Sequence, residues 1–169
     1  MIAAALGAKP ANLTFTSGAT EAANLVLTPD FRMGRSALAI GHLYVSAVEH
    51  KAVYDGGRFA ADRISVFPVD HNGVADLDAL QAMLEAHDKT TGLPMVALML
   101  ANNETGAIQP VAAAARIVHA HGGIMVVDAV QAFGRLPVDI EALEADFLIV
   151  SSHKIGGPKG AGALVARGE

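Results

Sequence analysis

A lysine stands where a buried strand of this chain is predicted to end. Lys154 follows the apolar run 147–150 and precedes a loop rich in glycine, 156–160. Strand interiors disfavour lysine, and an amine near an apolar core loses its proton more readily than one in water. A neutral lysine amine can form a Schiff base with an aldehyde cofactor. A solvated lysine just past the strand end is the other interpretation that this segment allows by itself.

A second segment has the residue types of a phosphate site. Residues 16–20 read Thr-Ser-Gly-Ala-Thr and are predicted to turn from a strand into a helix. Exposed N–H groups and the positive end of the helix dipole would hold a phosphate there. The segment is not a P-loop, because the GxxxxGK[ST] spacing is absent. Ordinary helix caps also contain Ser, Gly and Thr, so capping stays open as an interpretation.

Two further polar residues follow apolar strands. Asp128 closes the run 124–127 and could ligate a metal, orient a histidine, pair with a cofactor cation or simply cap the next turn. If Lys154 binds an aldehyde cofactor, pairing of Asp128 with a pyridinium nitrogen is favoured, because a negative charge keeps that nitrogen protonated. His50 could stack on a flat cofactor ring or shuttle a proton, and a half-exposed turn histidine is the alternative.

Two histidines near the end of a predicted helix are interpreted as cap residues. His119 and His121 precede Gly122, in the last turn, where cations interact favourably with the helix dipole. Because the HExxH and CxxC patterns are both absent, we predict no metal site.

The apolar pattern predicts the elements that must position these residues. Strands are predicted at 13–16, 42–48, 64–69, 96–101, 124–127, 147–150 and 162–165, and helices at 19–27, 51–61, 111–121 and after Asp76. Strands that alternate with helices and are continuously apolar indicate an α/β fold, with a largely parallel sheet and helices on both faces. Ligands bind outside the carboxyl ends of such strands. We therefore predict one site at the ends that carry Ser17, His50, Asn103, Asp128 and Lys154.

Composition excludes several classes of protein. The 169 residues fit one domain, and 52% hydrophobic with 17% charged residues indicate a packed interior. A net charge of -5, with Lys and Arg scattered singly, offers no surface for nucleic acid. No apolar run approaches the ~18 residues of a membrane span, and no signal peptide is recognisable. We expect a cytoplasmic protein that binds neither nucleic acid nor membrane. The absence of cysteine excludes disulfides and thiolate metal sites.

Together these segments resemble the class V, fold-type I family of pyridoxal-phosphate enzymes, and within it the cysteine desulfurases of the NifS/IscS kind. The matching segments occur in the family's order: 16–21 (Thr-Ser-Gly-Ala-Thr-Glu), 49–53 (Glu-His-Lys-Ala-Val), 102–106 (Asn-Asn-Glu-Thr-Gly), 127–131 (Val-Asp-Ala-Val-Gln) and 151–154 (Ser-Ser-His-Lys). The resemblance implies that residues 1–169 form the cofactor-binding core of a fold-type I large domain. It also implies pyridoxal 5'-phosphate as the cofactor.

The resemblance assigns roles to individual residues. It implies that Lys154 holds the cofactor covalently, that His50 stacks on the ring, and that Asp128 pairs with the pyridinium nitrogen. Lys154 and His50 are the predicted catalytic residues. The other predicted cofactor-binding residues are Ala19, Thr20, Asn103, Gln131, Ser151 and His153.

The implied activity is that of a cysteine desulfurase, which removes sulfur from L-cysteine and leaves alanine and an enzyme persulfide. The sulfur would then serve iron–sulfur cluster assembly or other transfers through an acceptor protein, and the complete enzyme would be a homodimer. In the family, the nucleophilic cysteine and a smaller domain follow the segments matched here, so we expect a core incomplete at both ends and inactive alone. Another class V enzyme, such as a selenocysteine lyase or an aminotransferase, stays open, as does a non-catalytic remnant that binds cofactor or a partner chain.

Overall fold

A computed structural model describes residues 1–33 and 36–168. Within these residues, eight strands form one sheet. Strands β1 to β8 are Leu13–Thr16, Asp30–Met33, Ser36–Ser46, Ile64–Phe67, Leu93–Met99, Ile124–Asp128, Phe147–Ser151 and Gly162–Ala166. Helices α1 to α5 are Ile2–Ala5, Ala19–Val26, Lys51–Tyr54, Leu77–Glu85 and Val111–Ala120.

The centre of the sheet is parallel and its margins are antiparallel. Strands β4, β3, β5, β6 and β7 pair in parallel in that order. Strand β8 runs antiparallel to β7, and β1 runs antiparallel to β8. Strand β1 therefore points the same way as β7, and both carboxyl ends lie at one edge. Strands β2 and β3 form a further antiparallel pair. The predicted α/β fold with a largely parallel sheet is confirmed.

Helices cover both faces of the sheet, as predicted. Along β5, Val96 and Leu98 pack in a cluster with α4 and α5. Met95 and Ala97, which alternate with them, pack in a second cluster with α2 and α3. Because successive strand residues point to opposite faces, a continuously apolar strand serves both clusters. Burial on both faces holds each strand in position in the sheet. The polar residues that follow the strands are thereby positioned as well.

Several element boundaries differ from the prediction. Helix α3 ends at Tyr54 instead of residue 61, because Gly56 and Gly57 have positive φ angles of 77° and 60°. Strand β5 ends at Met99, because its register with β6 stops at the pair Met99–Asp128 and Ala101 instead forms a bridge with Ile108. Strand β2, which pairs with the early part of β3, was not predicted.

The two helix-end histidines have different partners. Nδ1 of His121 lies 2.9 Å from the carbonyl oxygen of Ile117 in the last turn of α5, which fits the predicted cap. Nε2 of His119 instead lies 2.9 Å from Oδ2 of Asp146, so this ring ties α5 to the loop before β7. Of the helices in the described residues, none is both long and apolar enough to cross a membrane.

Candidate active site

A cavity of about 420 Å³ opens at the carboxyl ends of the strands. Its volume lies in the range of about 300–1,000 Å³ that small-molecule sites occupy. Every site residue predicted from the sequence lies on its wall: Ala19, Thr20, His50, Asn103, Asp128, Gln131, Ser151, His153 and Lys154. Folding therefore brings the motifs of five separate segments into one place.

Helix α2 begins at the cavity wall without a side-chain cap. Its N-cap residue is Gly18, and Ala19 and Thr20 of the first turn line the cavity. The first amides of a helix have no partner within the helix, and together with the helix dipole they attract anions. The turn packs closely on the sheet. A Cβ on Gly162 of β8 would come within 2.7 Å of the Cα of Gly18. This part of the wall is suited to a phosphate group.

Asp128 ends β6 with its carboxylate buried at the cavity. Oδ1 accepts a hydrogen bond of 2.8 Å from the N–H of Val130. Burial raises the pKa of Asp128 above its usual range, whereas the Val130 N–H and the nearby His50 favour the anion. No ion pair within the described residues includes Asp128. A cationic group in the cavity would therefore find a carboxylate that lacks a charged partner.

His50 lies at the N-terminus of α3 and lines the cavity. Its Nδ1 accepts a hydrogen bond of 3.2 Å from the N–H of Ala52, so the neutral ring carries its proton on Nε2. The ring is exposed, yet near enough to Asp128 to lower the pKa of that carboxyl group. Either predicted use of the ring, stacking or proton transfer, is compatible with this position.

Lys154 reaches the cavity from its rim. It ends the 3-10 turn Ser152–Lys154, one step past β7, and its side chain is exposed. The expectation of an amine held near an apolar core is therefore not met. Arg135 fixes the turn by donating from Nη2 to the carbonyl of Lys154 at 2.8 Å. Lys159 also lines the cavity and is a second amine within reach of a ligand, whereas Lys51 pairs with Asp55 at 2.8 Å.

Two neighbours of Lys154 form a hydrogen-bonded pair on the same wall. The buried Oγ of Ser151 lies 2.8 Å from Nδ1 of His153. The exposed His153 ring is therefore held close to the strand end. Because the bond occupies Nδ1, Nε2 is the ring nitrogen left for a ligand.

The two adjacent asparagines have different roles in the fold. Asn103 is exposed on the cavity wall. Asn102 is buried, and its Nδ2 donates to the carbonyl of Val48 at 3.0 Å. Its Oδ1 accepts from the amides of Glu104 and Thr105, each at 2.8 Å. Asn102 thus holds the loop of Asn103 against the turn that leads to His50.

Sequence patterns assigned no role to Glu49, although it lies directly before His50. Its side chain is buried between the ends of β3 and β5, where it accepts hydrogen bonds from Ser46 and Met99. The only signal in the sequence is an acidic residue at the end of an otherwise apolar strand. In residues 1–33 and 36–168, no group of three or more His, Cys, Asp or Glu residues is arranged to hold a metal ion.

Comparison with known proteins identifies the family. Residues 1–169 match the protein family described as aminotransferase class-V. The chain belongs to the aminotransferase class-V family. The class V resemblance found in the sequence is thereby confirmed.

Relatives within the class-V family include cysteine desulfurases. Cysteine desulfurase IscS of Aeromonas salmonicida is 38% identical over 174 residues, which take in 98% of this chain and 40% of that protein. The X-ray structure of a NifS-like protein from Rickettsia africae superposes with a TM-score of 0.85 at 34% identity, covering 98% of this chain and 44% of that one. SspA in complex with cysteine superposes with a TM-score of 0.78 at 29% identity, covering 98% and 47%. The chain thus spans 40% or less of the length of the curated relatives it matches.

Proposed function

We propose that this chain forms the pyridoxal-phosphate site of a cysteine desulfurase. One observation carries the proposal: a single cavity unites the amine of Lys154, the carboxylate of Asp128 and the open N-terminus of α2. Relatives named cysteine desulfurase, from Aeromonas salmonicida and Homo sapiens, support the activity. SspA, solved in complex with cysteine, supports the substrate.

The residues of the cavity fit the chemical groups of pyridoxal phosphate. A lysine amine suits the aldehyde, and uncapped helix amides suit the phosphate. A buried carboxylate without a charged partner suits the pyridinium nitrogen, because pairing would offset the cost of burying Asp128. Gln131 and Asn103 supply hydrogen-bonding amides on the same wall.

When bound, pyridoxal phosphate would supply an aldehyde for an amine and a ring that accepts electrons from the α carbon of the substrate. Lys154 would make the covalent attachment and, once released, would carry the proton of the substrate α carbon on Nζ. Asp128 would hold a positive charge on the ring nitrogen. His50 would lie against the ring and present its Nε2 proton to the cavity. The amides of Ala19 and Thr20 would bind the phosphate.

The activity of the whole protein extends beyond what these residues do. The persulfide needs a thiolate, and the 169 residues contain no cysteine. We propose that the complete cytoplasmic enzyme is a homodimer that passes sulfur from L-cysteine to an acceptor protein. The cavity residues described here serve the cofactor, so an aminotransferase or selenocysteine lyase would need the same set.

The proposed cofactor site is tested by trapping the attachment. The chain is incubated with pyridoxal phosphate, reduced with borohydride, digested and mapped by mass spectrometry. We expect the pyridoxyl group on Lys154, and we expect K154A to lose it. The matched control is K159R, which changes the second cavity amine and should retain the label. A pyridoxyl group on Lys159 or Lys51 in the wild-type chain would contradict the proposal.

A further inference from the structure

Glu49 places a carboxyl group where the cavity residues meet the core. Its Oε1 accepts two hydrogen bonds, from Oγ of Ser46 at 2.7 Å and from the N–H of Met99 at 2.6 Å. Oε2 is the one buried side-chain polar atom of the described residues that has no hydrogen-bond partner. The two oxygens of this carboxyl group therefore have unlike surroundings.

The position of Glu49 connects it to the cavity on two sides. The next residue is His50, on the cavity wall. Met99, whose amide binds Glu49, also lines the cavity and is the ladder partner of Asp128 across β5 and β6. The ionisable group that acts on Glu49 through its charge is Asp128 from β6, and His50 is the next residue in the turn. Ser46 and Met99 present only neutral donors.

This geometry suits a neutral carboxylic acid. In the acid form, the carbonyl oxygen accepts both hydrogen bonds and the hydroxyl oxygen carries the proton. In the ionised form, an anionic oxygen would be buried without a donor, close to a second carboxylate. Burial and the negative charge of Asp128 accordingly raise the pKa of Glu49 to about 8, although the bonds from Ser46 and Met99 favour the anion.

We propose that Glu49 is a positioning residue of the cofactor site: as an uncharged carboxylic acid, it ties the turn that carries His50 to β5 and leaves Asp128 as the buried carboxylate anion on the cavity wall. This proposal rests on the proposed function, because it assumes that the cavity binds a cofactor. It assigns to Glu49 no contact with substrate or cofactor. Glu49 acts through Asp128 and His50.

The protonation state is tested without any ligand. A group whose pKa is higher in the folded chain stabilises it below the unfolded pKa, and that contribution is lost as pH rises through the folded pKa. For Glu49 the loss runs from about pH 4.5 to about pH 8. The free energy of unfolding by urea, measured across this range, should fall less steeply in E49Q than in the wild type. Asp128 adds a slope of the same sign, so the difference between the two chains is the measurement.

Controls and a second readout make the test decisive. E85Q removes an exposed carboxylate on α4 and should keep the wild-type slope. At neutral pH, the infrared spectrum of the wild type should show a carboxylic acid C=O band that E49Q lacks. Equal slopes in E49Q and the wild type, or the same infrared spectrum in both, would overturn the proposal.

The positioning role is tested by binding. E49Q, which keeps the acceptor for Met99 and carries no charge, should bind pyridoxal phosphate within about threefold of the wild type at neutral pH. E49A leaves the amide of Met99 buried without an acceptor, and its affinity should fall by about tenfold or more. Equal losses in E49Q and E49A would overturn the role of the neutral acid. If the wild type binds no pyridoxal phosphate, the proposed function fails, whereas the urea and infrared measurements still decide the state of Glu49.

Discussion

At the scale of single residues, the electrostatics of the cavity depend on the protonation of a few ionisable groups. Burial raises the pKa of Asp128, although the hydrogen bond that it accepts from the Val130 amide favours the anion. His50 opposes that shift from the exposed side, whereas on the buried side the pKa of Glu49 is itself raised by burial and by the charge of Asp128. A buried carboxylate anion without a charged partner destabilises the ligand-free chain and attracts a cationic ligand. Function and stability should therefore respond in opposite directions at this position.

Asp128→Asn separates the two effects. Asparagine keeps an acceptor for Val130 and removes the buried charge, so the free energy of unfolding of the ligand-free chain should rise by about 1 kcal/mol. Because the folded pKa of Asp128 is raised, the wild type loses stability as pH rises through that pKa, and D128N should lack this loss. The affinity for pyridoxal phosphate should fall by about 30-fold or more, since the ring nitrogen loses its ion partner.

Urea unfolding over pH and titration of bound cofactor by absorbance measure both effects of D128N. The exposed Asp62 provides the matched control, and D62N should change neither quantity. Tighter cofactor binding by D128N would remove Asp128 from the proposed site.

At the scale of elements, close packing at the start of α2 forms the anion site. Gly162, the first residue of β8, pairs with Thr16 of β1 and with Ser151 of β7. The turn at Gly18 packs directly on Gly162. A Cβ on Gly162 would also come within 2.9 Å of the carbonyl oxygen of Val150. A backbone contact of this kind cannot be relieved by a change of rotamer. The distance between the helix amides and the sheet is therefore set by the absence of a side chain at residue 162.

Gly162→Ala should move the first turn of α2 away from β8. We expect the free energy of unfolding to drop by about 1–3 kcal/mol, because the added methyl group overpacks the contact. The affinity for pyridoxal phosphate should fall more than the affinity for pyridoxal, which lacks the phosphate. Gly168→Ala is the control, because a Cβ there meets only the side-chain amide of Asn12 at 3.3 Å. An equal loss for both ligands would show that the turn does not bind the phosphate.

At the scale of the whole molecule, the chain carries the proposed cofactor site and no thiol. The cavity draws on the segments that follow β1, β3, β5, β6 and β7, so it exists only in the folded sheet. The residues available to a substrate sulfur are hydroxyls, amines and imidazoles, which are poor replacements for a soft thiolate. Cofactor binding and sulfur transfer should thus be separable properties.

We expect this chain, loaded with pyridoxal phosphate, to release no sulfide from L-cysteine beyond the rate of the free cofactor. The physical reason is that the 169 residues contain no cysteine thiol to attack the substrate sulfur. Sulfide is measured with a reductant present, and K154A under the same conditions gives the background. Turnover clearly above free pyridoxal phosphate would mean that another group of this chain accepts the sulfur.

The sequence by itself determined the α/β class and predicted residues that the fold brings to the cavity wall. Continuous apolar strands that alternate with helices must be covered on both faces, and the polar residues that follow such strands must gather at one edge. Local motifs therefore predicted Lys154, Asp128 and His50 without knowledge of contacts. Helix α4 began after Asp76 as predicted, because the Asp76 carboxylate accepts the amide of Ala79 at 2.9 Å.

Only the tertiary structure decided burial, partners and charge. The exposure of Lys154 depends on a turn after β7 that Arg135 holds from another segment. The early end of α3 and the pairing of β2 also depend on chain folding beyond the local pattern. Glu49 shows the reason most clearly, because its raised pKa follows from burial and from the charge of Asp128, which is distant in sequence. Electrostatic free energies depend on distances in space and on exclusion of water, and neither is encoded in residue spacing.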